Sequence, residues 1–167
     1  QQNNILAAQM KIVIAMDSFK GNMSANQVCD IIASAIKECL PEAECVIKPI
    51  ADGGEGTADA MLKSIQGQWI EKTVTGTLFD MKVKAGYTCC EKSKTALVEI
   101  ASAAGRQLLK KDQCNPMKTT TYGVGELIKA AIEYNPEKIL FAVGGSATVD
   151  GGTGLASALG WRFLDKD

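Results

Sequence analysis

Three loops in this chain place an acid and at least one glycine directly after an apolar run. Ile139-Leu140-Phe141-Ala142-Val143 leads into Gly144-Gly145-Ser146-Ala147-Thr148-Val149-Asp150-Gly151-Gly152. Residues 44–50 lead into Ala51-Asp52-Gly53-Gly54-Glu55-Gly56-Thr57, and Ile12-Val13-Ile14-Ala15 leads into Met16-Asp17-Ser18-Phe19-Lys20-Gly21. A strand ending in glycines opens backbone N–H groups toward the start of the next helix, where the helix dipole also favours an anion. Ser146 and Thr148 add hydroxyl donors, and Asp150 is a carboxylate suited to a divalent metal beside a phosphate. The plainer alternative is turn and cap chemistry, since Asp17 and Asp52 both stand just before expected helices, where a carboxylate is ordinary. Open parallel sheets bind their ligands at the carboxyl ends of the strands, where all three loops fall.

The chemistry is narrowed by what is missing. Histidine is absent from all 167 residues, which excludes Ser-His-Asp and Cys-His nucleophilic machinery, histidine bases and histidine metal sites within this chain. The Walker pattern and the protein-kinase signatures are missing too. Gly152-Thr153-Gly154 and Gly123-Val124-Gly125 each lack the third glycine of a dinucleotide fingerprint, which argues against a nicotinamide-dependent oxidoreductase. Phosphoryl transfer asks for anion donors, a metal-holding carboxylate, a cation and a carboxylate to take the acceptor's proton. Every part is present. Backbone donors come from Gly53, Gly54, Gly144 and Gly145, and hydroxyls from Ser146, Thr148 and the run Thr119-Thr120-Thr121, although threonine is also a common cap. The carboxylates are Asp17, Asp52, Glu55 and Asp150, and the cations are Lys20 and, less favoured, Arg106. Asp52 or Asp17 is expected near the acceptor hydroxyl and Asp150 near Mg²⁺ or phosphate. Lys20, a mobile point charge, is expected against a substrate carboxylate or a phosphate.

The elements that must position these groups follow from periodicity. After Ser24, the residues Val28, Ile31, Ile32, Ala35, Ile36 and Cys39 recur at helical spacing; Ser24 with Gln27 forms a capping box and Pro41 follows the end. Residues 11–49 therefore read as a βαβ unit. A helix from Thr57 to Gly67 precedes a third strand at residues 69–75. Residues 81–88 and 95–100 read as a hairpin around Glu91-Lys92-Ser93-Lys94. Residues 101–105 read as one helical turn, and 107–117 as a loop. Val124, Leu127, Ile128, Ala131 and Ile132 define an amphipathic helix, with Glu126 as a first-turn dipole partner, followed by a strand at 138–143. Residues 161–164 resemble one more strand. Trp69, Trp161 and Met61 read as core, as do Cys29 and Cys39.

With 46% hydrophobic and 22% charged residues the chain supports one ordinary core. The net charge of -1, without a basic run, gives no electrostatic footprint for nucleic acid or a membrane surface. No apolar run approaches the ~20 residues of a membrane span. Residues 1–9 read as a disordered extension rather than a signal peptide. The six cysteines form no metal-binding pattern and are expected as reduced thiols in a cytoplasmic protein. Nothing in the sequence speaks to oligomeric state.

Four segments carry a family resemblance: Met10 to Gly21, Ala51 to Thr57, Thr119 to Ile128, and Gly144 to Gly152. In order and spacing they resemble successive signatures of the glycerate kinase type 1 family, over nearly all of residues 10–167. Met16 stands where that family usually has proline, and Val149 where asparagine is common. The resemblance implies a two-domain α/β protein with its active site between the domains, of which this chain resembles the N-terminal portion. The expected fold is a parallel-sheet, Rossmann-like first domain at 10–75, incomplete, with the start of a second α/β domain at 76–167. The implied reaction transfers the ATP γ-phosphoryl group to a hydroxyl of glycerate, with Mg²⁺. Asp17, Lys20 and Asp52 are its expected catalytic residues. Gly53, Gly54, Glu55, Thr120, Gly144, Gly145, Ser146 and Thr148 are expected to bind nucleotide, and Asp150 metal. The rival readings are a non-catalytic nucleotide- or phosphometabolite-binding module and a fragment inactive on its own.

Overall fold

In the computed structural model, residues 10–165 are described. Strands β1 (Lys11–Ile14) and β2 (Glu44–Ile47) pair in parallel, with Lys11 opposite Glu44 and Ile14 opposite Ile47. Parallel neighbours require a crossover, and helix α1 (Ala25–Cys39) provides it. Its start is the capping box expected from sequence: the Ser24 hydroxyl accepts the Gln27 N–H while the Gln27 side chain accepts the Ser24 N–H. Val28 and Cys29 turn inward, and the Cys29 thiol donates to the Ile14 carbonyl at 3.8 Å. Cys39, expected beside them in the core, lies exposed at the last helical residue. All six cysteines are free.

The second sheet has the order β3-β4-β5-β6, formed by Gln68–Thr75, Lys82–Cys90, Thr95–Glu99 and Lys138–Ala142. The β4–β5 hairpin is the expected one. Strand β3 is not where the sequence reading put it. It runs antiparallel to β4 from Gln68 opposite Cys89 to Thr75 opposite Lys82, so it belongs with the hairpin and not with β1 and β2. The reason is local. Residues 76–81 form a tight reversal in which the Gly76 N–H donates to the Met81 carbonyl at 2.8 Å, and so short a connection permits only antiparallel pairing. The sheets therefore part between β2 and β3 rather than at Gly76. Parallel pairing is confined to β1–β2 and β5–β6, and the fold is mixed α/β.

Helix α2 (Thr57–Ser64) links the two sheets, and the four-residue helix α3 (Ala101–Ala104) follows β5. Two 3₁₀ turns, Arg106–Leu108 and Lys111–Gln113, occupy the expected loop. Helix α4 (Tyr122–Glu133) covers the larger sheet, where Val124, Leu127 and Ala131 pack against Val74, Tyr87 and Val98. Its two glycines explain themselves here. A Cβ on Gly123 would stand 1.6 Å from the Thr75 carbonyl oxygen, and one on Gly125 would stand 2.4 Å from that of Leu155. Gly123-Val124-Gly125 is thus a close-packing device between α4, β3 and helix α5 (Thr153–Ala158). Glu126 does more than face a dipole: its carboxylate accepts the Thr75 N–H at 2.6 Å.

Residues 161–165 enter no strand, so the strand expected at 161–164 is not formed. Trp161 is 72% exposed, and Trp69 also faces solvent, so neither is core; Met61 is half-buried. Among the described residues no helix is long and apolar enough to cross a membrane.

Candidate active site

The strand ends after β1, β2 and β6 converge on one cleft of about 450 Å³, whose lining includes Lys20, Asp52, Gly54, Glu55, Gly144 and Gly145. Backbone contact joins two of the loops directly. The Gly144 N–H donates to the Gly53 carbonyl at 2.8 Å, and a Cβ on Gly144 would meet the Gly54 nitrogen at 2.7 Å, so only glycine allows the approach. Gly54 and Gly144 thereby commit their N–H groups internally, Gly54 to the Asp52 carboxylate at 2.9 Å. Among the described residues, the N–H groups of Gly53 and Gly145 have no such partner.

Asp52 is exposed and faces the cleft. Its second carboxylate oxygen accepts from the Lys20 ammonium at 3.2 Å. The Gly54 N–H, then the hydrogen bond and charge of Lys20, hold its carboxyl below the ordinary aspartate value. Asp52 is not a helix cap; α2 begins five residues later, and the Thr57 hydroxyl donates back to the Gly54 carbonyl at 2.7 Å. Asp17 accepts the N–H of its neighbour Ser18 at 2.6 Å and does not line the cleft. Nor does it cap α1, a role held by Ser24.

The first turn of α2 is held by a residue the sequence reading missed. Glu99, at the end of β5 and only 5% exposed, accepts the Gly56 N–H at 3.1 Å with one oxygen and the Ala58 N–H at 3.0 Å with the other. Burial pushes its carboxyl above the ordinary value, and these N–H donors offset that only in part. A single carboxylate closing the apolar run Ala96-Leu97-Val98 was the available signal.

The Asp150 loop is built differently. One oxygen of Asp150 accepts the Thr121 N–H at 2.8 Å, the Thr121 hydroxyl at 2.8 Å and the Gly154 N–H at 3.3 Å; the other accepts the Gly152 N–H at 3.1 Å. Partial burial raises its carboxyl, but these donors, Thr121 foremost, outweigh that and lower it. The Thr121 hydroxyl in turn accepts the Leu155 N–H at 2.9 Å, so Asp150 and Thr121 together fasten the starts of α4 and α5. Thr120 is buried, donates its N–H to the Thr77 carbonyl and accepts the Tyr122 N–H. The Thr148 hydroxyl donates to the Thr119 carbonyl at 3.1 Å. Ser146 and Thr148 line an adjoining hollow of about 370 Å³, not the main cleft.

Two cations complete the cleft wall. Arg106, less favoured from sequence, and Lys111, unforeseen, both line it, and neither makes an ion pair among the described residues. Those residues include no group of three or more acids or cysteines placed to cage a metal. Magnesium bound through one or two carboxylates and substrate phosphates needs no such cage, and Asp52 and Glu55 are the carboxylates exposed at the cleft.

The model of the glycerate kinase family matches residues 12–167. The chain belongs to that family. It is 45% identical over 157 residues to a glycerate kinase of Haemophilus influenzae and 44% identical over 158 residues to the glycerate 2-kinase of Escherichia coli K12. These matches cover 94% and 95% of this chain and 41% of each relative. The chain thus spans about two fifths of the length of the curated relatives it matches. A crystal structure assigned to glycerate kinase 2 of Salmonella typhimurium LT2 superposes with a TM-score of 0.81 at 42% identity, covering 94% of this chain and 42% of that one. The glycerate kinase family is therefore matched along almost the whole chain in both sequence and fold.

Proposed function

We propose that this chain carries the anion-binding and acid–base wall of an enzyme that transfers the terminal phosphoryl group of ATP to a hydroxyl of glycerate. The observation that carries the reading is the meeting of Lys20, Asp52 and the Gly53 and Gly144 loops at one cleft, in a chain of this family. Asp52 is exposed, held ionised, and positioned to take the proton of an acceptor hydroxyl. Lys20 fixes the orientation of that carboxylate. The unengaged N–H groups of Gly53 and Gly145 suit the oxygens of an anion.

Asp150 acts as a positioning residue, because four donors already occupy its carboxylate. Glu55, the other carboxylate exposed at the cleft, is the better candidate to meet Mg²⁺, which when bound would neutralise charge on the phosphates. The free thiols fit a reducing compartment such as the cytoplasm.

The test is ³¹P NMR of the full-length protein with Mg-ATP and D-glycerate. A glycerate-dependent phosphoglycerate resonance is expected, and its shift identifies the hydroxyl that was phosphorylated. Unchanged ATP from a folded sample would instead favour a binding module.

A further inference from the structure

Glu99 is a lone carboxylate between Ala96-Leu97-Val98 and Ile100-Ala101, in a stretch that is otherwise apolar and buried. Its backbone is fixed from several directions. Strand β5 has a partner along both edges, and Glu99 lies opposite Ala142 of β6. The Ile100 N–H donates to the Ala142 carbonyl at 2.9 Å, and the Ser102 hydroxyl donates to the Glu99 carbonyl at 2.8 Å. From this frame the side chain reaches the Gly56 and Ala58 N–H groups at the start of α2.

Capping α2 does not by itself call for such a residue. A serine, threonine or aspartate just ahead of the helix would satisfy its first N–H groups without burying a charge. Here the nearest hydroxyl, that of Thr57, donates back to the Gly54 carbonyl, and the acceptor comes from 43 residues away.

What Glu99 holds is a loop with two loose points. Gly53 and Gly56 both have φ of 88°, in the left-handed region where a glycine backbone turns without steric cost. Each is pinned from the larger sheet. The Gly53 carbonyl accepts the Gly144 N–H at 2.8 Å just beyond β6, and the Gly56 N–H meets Glu99 at the end of β5. Those strands pair in parallel, so the two pins stand side by side. One pin lets a loop swivel; two fix it. Upstream, the same loop belongs to the smaller sheet, where the Ile50 N–H donates to the Met16 carbonyl at 3.1 Å. Lys20 and Asp52 therefore come to the cleft from the smaller sheet, and Gly144, Gly145 and Arg106 from the larger one.

We propose that Glu99 is a positioning residue that sets the Asp52 loop against the Gly144 loop, and with it the distance between base and bound anion. It touches neither and acts through the backbone of residues 53–58. That this distance governs phosphoryl transfer rests on the proposed kinase reading; the pinning of the loop does not.

The test is Glu99→Gln in the full-length protein, which keeps the side chain's length but turns an N–H toward one of the two donors. Hydrogen–deuterium exchange at residues 53–60 is expected to quicken by about tenfold or more, the effect of losing one hydrogen bond to a charged acceptor. Exchange in α4 should stay unchanged. With Mg-ATP and D-glycerate, kcat is expected to fall by about 10²-fold, the effect of roughly 1 Å of misplacement, with both KM values little altered. In an Asp52→Asn background the same substitution should cause almost no further loss, because Glu99 acts through Asp52. A merely structural role predicts the same fractional loss in both backgrounds, and that result would overturn the proposal, as would parental kcat or unaltered exchange at 53–60. Glu99→Asp, which keeps the charge but shortens the reach, gives the same readouts should Glu99→Gln fail to fold, with a smaller fall in kcat expected. A parent protein that forms no phosphoglycerate would sink the kinase reading alone, and the exchange comparison would still decide whether Glu99 pins the loop.

Discussion

The loops around Asp52 and Asp150 look alike in sequence and are used in opposite ways. Each follows an apolar strand, sets an aspartate among glycines and runs into a helix. Yet Asp52 receives one backbone N–H and one lysine and otherwise faces the cleft, whereas Asp150 receives three N–H groups and a hydroxyl. The difference lies in the neighbours. Helix α4 delivers Thr121 to Asp150, while the groups that would play that part beside Asp52, the Gly56 and Ala58 N–H groups, are taken by Glu99. A carboxylate relieved of capping work is free to meet a substrate. A saturated one holds the scaffold.

The comparison is broken most decisively by the two aspartates themselves. In the full-length protein Asp52→Asn is expected to lower kcat by roughly 10²–10⁴-fold, the usual worth of a positioned acid–base group, with little change in melting temperature. Full activity in that variant would remove Asp52 from the chemistry.

Asp150→Ala is expected to destabilise by about 2 kcal/mol, since it leaves the N–H groups of Thr121, Gly152 and Gly154 without their acceptor. Denaturant titration checks the magnitude, and pH checks the cause. Because the folded protein lowers the Asp150 carboxyl, its stabilisation is present above the ordinary aspartate value and is lost as pH falls through the folded value. The acid-side loss of stability should therefore flatten in the variant. An Asp150→Ala protein as stable as the parent but inactive would restore the metal role read from the sequence.

The smallest effect sharpens the Asp52 side. Lys20 helps to hold Asp52 ionised, so Lys20→Met should move the acidic limb of the kcat/KM profile toward higher pH. Activity needs the base form and is lost as pH falls through the Asp52 value; raising that value brings the loss earlier. The Gly54 N–H, the larger influence, remains, so the shift is partial. An unmoved limb would show that another group governs it.

Much of the local structure was legible beforehand, for reasons that act over a few residues. Ser24 and Gln27 announce the start of α1 because a capping box is closed within one turn. The β4–β5 hairpin is announced by two apolar runs flanking Glu91-Lys92-Ser93-Lys94. What failed was long-range. Strand β3 reads equally well as a continuation of the first unit or as a partner of the hairpin, and its alternation does not say which edge it joins. Gly123-Val124-Gly125 reads as a fragment of a nucleotide fingerprint until β3 and α5 are seen against it.

For the site the division is similar. The sequence by itself determined the repertoire: acids, glycines and hydroxyls at three strand ends, no histidine, and the signatures of one family. Residue type and spacing decide those matters. Only the tertiary structure decided which acid is exposed, that Glu99 takes up the first N–H groups of α2, and that Arg106 and Lys111 line the same cleft as Asp52 and Lys20. A carboxylate's role depends on which donors reach it, and the Thr121 N–H at Asp150 and the Gly56 N–H at Glu99 come from 29 and 43 residues away along the chain.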